Sequence, residues 1–152
     1  MDQRFASLMT DLFALIDADE TECFDEGVAL IAVAGFDISL TLLEGADQIL
    51  ISTVVAEFPA DGRAELLAKL LEGNLFFQKT QGFTLAARED TGVMLQAALP
   101  CAILDKSALA SAVVNLVSVA DYWRDVCEGT LDDDEPAEEE LSFGAGLDMI
   151  RV

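Results

Sequence analysis

The sequence has 152 residues, enough for one domain, and its 53% hydrophobic content excludes a wholly disordered chain. Its formal net charge of −21 excludes the basic surface that nucleic acid requires. Histidine is absent, so the chain cannot by itself form a catalytic triad with histidine or a histidine-ligated zinc site.

The first half of the chain predicts one helix followed by three strands. Apolar residues recur at steps of three and four from Phe5 to Ile16, and Asp2 is suited to cap that helix. The acidic stretch 17–22 is expected to end it. Three short stretches that alternate in polarity or are rich in β-branched residues then predict an antiparallel meander. They cover residues 28–33, 37–42 and 49–56.

The second half predicts a helix, a hairpin and a last helix. Five leucines at helical spacing between positions 66 and 75 indicate the second helix. Two alternating stretches flank the polar turn 88–92, and Asp105 is suited to cap a helix that ends before Gly129. The order is therefore α-β-β-β-α-β-β-α. It predicts an α+β fold, in which three helices pack on a single antiparallel sheet of about five strands.

The composition divides the chain into a body, residues 1–129, and a tail, residues 130–152. The tail contains an acidic stretch, residues 132–140, in which seven of nine residues are acidic. An apolar C-terminal segment, residues 141–152, follows and includes Phe143 and Leu147. The acidic stretch is expected to stay solvated, whereas the apolar segment is suited to dock on this chain or on another.

Other features argue against an enzyme, a metal site and a membrane protein. The three cysteines have no CxxC spacing, and no glycine-rich phosphate loop occurs. The N-terminal residues lack the basic region of a signal peptide, and no apolar run is long enough to cross a bilayer. We therefore expect no cofactor and no metal. Reduced thiols favour a cytoplasmic location.

Apolar residues crowd the end of the second helix. Leu71, Leu75, Phe76 and Phe77 are too close in sequence for all of them to lie on one buried face of a monomer. This crowding predicts association with a second chain.

The order of elements and several stretches resemble the class I, CesT-like chaperones of bacterial type III secretion. The resemblance covers about residues 3–128. It is carried by LLEGNLF (70–76), the hairpin GFTLAARED and TGVMLQAALP (82–100), and ALASAVVNLVSVADYWRDV (108–126).

This resemblance implies a cytoplasmic homodimer with a twisted sheet in each subunit, and Leu71, Leu75 and Phe76 in the dimer interface. It also implies a non-enzymatic export chaperone, which binds an extended N-terminal segment of a secreted effector and keeps it soluble and secretion-competent. By position, six apolar residues are expected near the effector grooves. They are Leu8, Leu12, Ile31, Val33, Ile38 and Leu40.

Two questions stay open at the level of the sequence. A dimeric adaptor or regulatory protein that holds a folded partner would need similar apolar surfaces. The tail, in turn, is suited either to a second partner or to covering the effector groove of its own chain.

Overall fold

The computed structural model describes residues 2–18, 20–24 and 26–129. The predicted tail lies outside the described residues, so the division of the chain into body and tail stays a prediction. Nine helices and strands and three short 3-10 turns make up the described part. In chain order the helices and strands are α1 (Gln3–Leu15), β1 (Glu20–Phe24), β2 (Val28–Val33), β3 (Phe36–Leu43), β4 (Gln48–Ala56), α2 (Arg63–Asn74), β5 (Thr84–Arg88), β6 (Gly92–Pro100) and α3 (Lys106–Cys127).

The predicted α+β class is confirmed, but the described sheet has six strands instead of about five. All neighbours are antiparallel, in the order β1-β2-β3-β4-β6-β5. The additional strand is β1, in the acidic stretch that was expected only to end the first helix. Glu22 pairs with Leu30 of β2 in its register. An edge strand tolerates acidic residues, because backbone hydrogen bonds to one neighbour hold it in place.

Aspartates begin two of the helices, as the sequence predicts. An oxygen of the Asp2 side chain accepts a hydrogen bond of 2.8 Å from the Arg4 backbone N–H, and Asp105 accepts one of the same length from Ala108. Each bond satisfies a backbone donor that has no partner within the helix. Helix α2 begins differently, since it follows Gly62 and has no capping side chain.

The core lies between the helices and one face of the sheet. Helix α3 packs on β4, α1 packs on α3 and α2 packs on β5. Alternate strand residues face inward, and a row of paired positions crosses the sheet beneath the helices. It consists of Ile31, Ile38, Thr53, Leu95 and Leu85. The paired positions of the opposite face are Leu30, Ser39, Ser52 and Gln96, which are mostly polar.

Helix α2 is held by its packing on β5, by a close contact with α3 and by two hydrogen bonds to β5. Gly73 lies against the Trp123 ring of α3, where a Cβ atom would collide with the ring. The Asn74 side chain accepts from the Leu85 N–H at 2.7 Å and donates to the Leu85 carbonyl at 3.0 Å. These bonds join the end of α2 to β5 and fix the position of the residues that follow.

Candidate functional site

The described residues contain no group suited to metal binding, and the two cysteines whose side chains are described are poorly suited to thiol chemistry. No group of three or more acidic or cysteine residues could hold a metal ion there. Cys101 and Cys127 are free thiols. Burial raises the pKa of Cys127 to about 11 and also raises the pKa of Cys101. Since the thiolate is the reactive form, both side chains are poor nucleophiles at neutral pH.

An apolar groove of about 460 Å³ lies where the end of α1 meets β2 and the first half of α3. We call it the α1–α3 groove and define it by Leu15, Ile16, Val33, Ala110 and Val114. Leu15 is 53% exposed and Val114 is 61% exposed, so the groove presents apolar side chains to solvent. Among the described residues that line it, Asp17 carries a charge.

A second concavity, of about 670 Å³, lies on β1, β2 and β3 and is bordered by carboxylates. We call it the acidic recess and define it by Thr21, Glu22, Leu30, Ala32 and Asp37. Leu30 is 40% exposed between Glu22, its partner in the neighbouring strand, and the exposed Asp37. The recess therefore combines an apolar contact with negative charge.

The strand beside the acidic recess is an edge strand of the described sheet. Within the described part of the chain, β1 pairs with β2 and with no other strand. No described strand pairs with its outward N–H and C=O groups, an edge of the kind that can accept an added strand, and the exposed Glu22 discourages unselective pairing.

A third candidate surface surrounds the end of α2, and we call it the α2 surface. It consists of Leu67, Leu71, Leu75, Phe76 and Phe77, and Leu71 and Leu75 are 72% and 59% exposed. Both phenylalanines have positive φ, 59° and 57°. This conformation costs about 1–2 kcal/mol for a residue with a side chain. A strained backbone that holds two half-exposed aromatic rings is typical of an interaction surface.

The structure separates the six predicted groove residues into two sets. Leu8 and Val33 are half-buried, and Val33 lines the α1–α3 groove. Leu12, Ile31, Ile38 and Leu40 are enclosed in the core of this chain, with exposed fractions of 2% or less. They support the surface from beneath. Contact of any of the six with an effector remains a prediction.

Leu71, Leu75 and Phe76, predicted for the dimer interface, are all exposed at or near the end of α2. Their role in a dimer remains a prediction. Sequence reasoning did not single out Leu15, Val114 or Leu30. Val114 lies beside the buried seam of α3, and Leu15 lies outside the buried stripe of α1. An apolar residue offset from the core positions in this way was the sequence signal for an exposed apolar surface.

Comparisons with known proteins identify one family. The model of the Tir chaperone protein (CesT) family matches residues 7–124. No curated protein sequence matches the chain significantly. No described helix combines the length and the apolar character that a membrane span needs.

Several solved structures share the fold. A chain of the ExsC–ExsE complex matches with a TM-score of 0.66 and 22% identity, covering 82% of this chain and 95% of that one. A chain of the HopA1–SchA chaperone–effector complex has a TM-score of 0.63 and 18% identity, over 80% and 94% of the two chains. A chain of the ExoT–SpcS complex from Pseudomonas aeruginosa has a TM-score of 0.60 and 22% identity, over 80% and 98%.

Proposed function

Because the chain belongs to the Tir chaperone protein (CesT) family, we propose that it is a non-enzymatic export chaperone of type III secretion. In this proposal it binds an extended N-terminal segment of a secreted effector and keeps that segment soluble and secretion-competent. The observation that carries the proposal is the placement of an exposed apolar groove and an acidic recess on either side of β2, next to the edge strand β1. The HopA1–SchA structure, a chaperone–effector complex, supports it.

The two concavities suit an extended apolar segment. Exposed Leu15 and Val114 offer contact area for one or more apolar side chains of the effector. Leu30 offers a second contact, on the other side of β2. The effector pays an entropic cost when it becomes ordered, so its affinity must come from a few such anchors. Main-chain hydrogen bonds to the edge of β1 would add affinity without selecting a sequence.

The charge of the chain favours basic effector segments. Residues 129–152 contain eight of the 29 acids and one of the eight bases, which leaves the rest of the chain at −14. Glu22 and Asp37 place part of this charge beside the apolar contact of Leu30. Such a field raises association rates more than it raises affinity, and salt screens it. A stopped-flow association rate that did not fall with added salt would exclude this steering.

We also propose that two copies pair through the α2 surface in the cytoplasm. Five exposed apolar residues, two of them on strained backbone, form a patch that a second copy can cover. We expect no nucleic acid, membrane or cofactor among the partners.

The proposal is tested by capture of an N-terminal fragment of a secreted protein. Complexes of the tagged full-length chain with secreted proteins of its host are treated with a protease, and the protected fragments are identified by mass spectrometry. We expect a short N-terminal fragment at one copy per chaperone dimer. Retention of an intact folded partner, without a protected N-terminal fragment, would favour an adaptor instead.

The site within the chaperone is tested by Val114→Asp, with Ser118→Asp as the matched control. Both residues are exposed on α3, but only Val114 lines the α1–α3 groove. A charge in the apolar groove should weaken fragment binding about tenfold or more, while the control leaves it unchanged. Equal affinities for the two variants would remove this groove from the effector site.

A further inference from the structure

Residues 75–83 connect α2 to β5, and we call them the 75–83 segment. Its first residues adopt an unfavourable backbone. Leu75 has φ −63° and ψ 119°, and Phe76 has φ 59° and ψ 8°. These are the angles of a type II turn, whose third residue is normally glycine. Phe77 follows with a positive φ as well. A residue with a side chain adopts such a conformation about 5 to 30 times less readily than an ordinary one, so both phenylalanines disfavour the described backbone.

A second unfavourable turn lies at the other end of the segment. Gln81 and Gly82 have positive φ, 52° and 91°, and the Phe83 N–H donates a hydrogen bond of 3.1 Å to the Thr80 carbonyl. This is the pattern of a type I′ turn, in which Asn-Gly is the favoured pair and glutamine is not. The Thr80 side-chain hydroxyl is enclosed and has no hydrogen-bond partner among the described residues. Opening of the segment would expose that hydroxyl to water, which also disfavours the closed form.

Two buried groups attach the segment to the core. The indole N–H of Trp123, whose ring is fully buried, donates a hydrogen bond of 2.9 Å to the Lys79 carbonyl, and the Phe83 ring is enclosed nearby in sequence. The three apolar residues at the start of the segment are instead 49–59% exposed. Much of their apolar area therefore stays in water unless another chain covers it.

We propose that the 75–83 segment opens and closes in the single chain, and that a second copy on the α2 surface holds it closed. This inference rests on the pairing of two copies proposed above. A second copy can cover the rings of Phe76 and Phe77 only while the strained backbone keeps them in place, so association favours the closed form. The paired copy compensates for the strain, and the α2 surface is complete only in the pair.

The coupling is tested by hydrogen exchange of the Trp123 indole N–H, measured by NMR on the full-length chain. Trp123 is the only tryptophan in the sequence, so its indole gives one signal. Its ring is already buried in the single chain, and a second copy therefore cannot shield it directly. Exchange requires that the segment leave the indole, and the rate reports how often it opens.

The comparison is between the paired wild type and Leu71→Asp. Leu71 is 72% exposed on α2 and lies outside the segment, so the variant removes pairing without altering the segment itself. We expect the indole to exchange at least about tenfold faster in Leu71→Asp. The Leu116 amide in the middle of α3 reports unfolding of the whole chain and should exchange more slowly than the indole. Equal rates for the indole and Leu116 in the variant would mean global unfolding and would overturn the proposal.

A matched pair of substitutions in the Leu71→Asp background tests whether strain opens the segment. Gln81→Asn creates the favoured Asn-Gly turn and should slow indole exchange about threefold. Gln78→Asn makes the same change at an ordinary φ of −64° and should not slow it. If Gln81→Asn left the rate unchanged, strain in this turn would not be the cause of opening and the proposal would be wrong.

Analytical ultracentrifugation of the same samples separates this proposal from the pairing on which it rests. A wild type that paired, yet showed the same indole exchange as Leu71→Asp, would remove the coupling and leave the pairing. A wild type that did not pair would remove both, because no second copy would then close the segment.

Discussion

Helices α1 and α2 are both rich in large apolar residues, but α1 buries far more of them than α2 does. Helix α1 buries Phe5, Met9 and Leu12, each at 2% exposure or less. Helix α2 buries Leu70 and Gly73 and leaves Leu71 at 72% exposure. A high count of apolar residues therefore does not determine burial. What decides it is how much of the sheet and of the other helices faces the helix.

The difference follows from the way each helix meets the rest of the core. Helix α1 lies on α3 along a stripe of large side chains. Helix α2 approaches through Gly73, because the Trp123 ring occupies the space that a side chain would need. The inward side of α2, with Leu70 and Gly73, covers only part of this leucine-rich helix. The uncovered residues form the α2 surface, and this geometry agrees with the proposed self-association.

The largest effect is expected from Leu75→Asp, which tests whether a second chain covers the α2 surface. A charge buried in an apolar interface without a partner costs about 3–5 kcal/mol. We expect the dimer dissociation constant, measured by analytical ultracentrifugation, to rise at least about 100-fold. Leu30→Asp introduces the same charge at an exposed leucine away from α2 and should leave self-association intact. A Leu75→Asp variant that stayed dimeric would remove Leu75 from the interface.

The next largest effect is expected from Leu12→Ala in α1. Leu71→Ala in α2 gives the direct comparison between the two helices. Removing the buried Leu12 side chain should lower the free energy of unfolding by about 2–5 kcal/mol. Leu71→Ala should change it by less than about 0.5 kcal/mol, since surface substitutions seldom do more. Urea denaturation at low protein concentration, where association contributes least, measures both values. Similar losses for the two variants would mean that α2 is as well covered within one chain as α1.

A smaller effect is expected at Gly73, whose missing side chain lets α2 approach the Trp123 ring closely. Gly73→Ala places a methyl group against the Trp123 ring and Leu85, and overpacking of this kind costs about 1–3 kcal/mol. Gly45→Ala is the control, because an added Cβ there meets nothing within 4 Å. Thermal unfolding of the two variants gives the comparison. If both melted at the same temperature, Gly73 would not be the residue that sets the approach of α2.

The smallest effect concerns the beginning of α1. Asp2→Ala removes the side-chain acceptor for the Arg4 N–H and should cost about 1 kcal/mol. Asp2→Asn keeps an acceptor and should restore most of that stability. Amide hydrogen exchange in the first turn of α1 locates the loss. Unchanged exchange in Asp2→Ala would show that packing alone holds this end of the helix.

Much of the fold could be predicted because its signals are local. The period of apolar residues identified α1 and α3, and alternation identified β3 and the β5–β6 hairpin. Asp2 and Asp105 marked helix starts that the structure confirms. Strand β1 was missed because its acidic residues carry no strand pattern, and pairing with β2 is what makes it a strand.

The candidate sites also divide into those with a local sequence signal and those that only tertiary packing forms. Crowding between Leu71 and Phe77 is a local property, so the sequence by itself determined that α2 would expose apolar residues. The α1–α3 groove joins Leu15, Val33 and Val114, which are far apart in the chain, and only packing brings them together. Burial of Leu12, Ile31 and Leu40 was also decided by the tertiary structure. A residue of the right type at the right period faces either the core or solvent, and the element packed against it determines which.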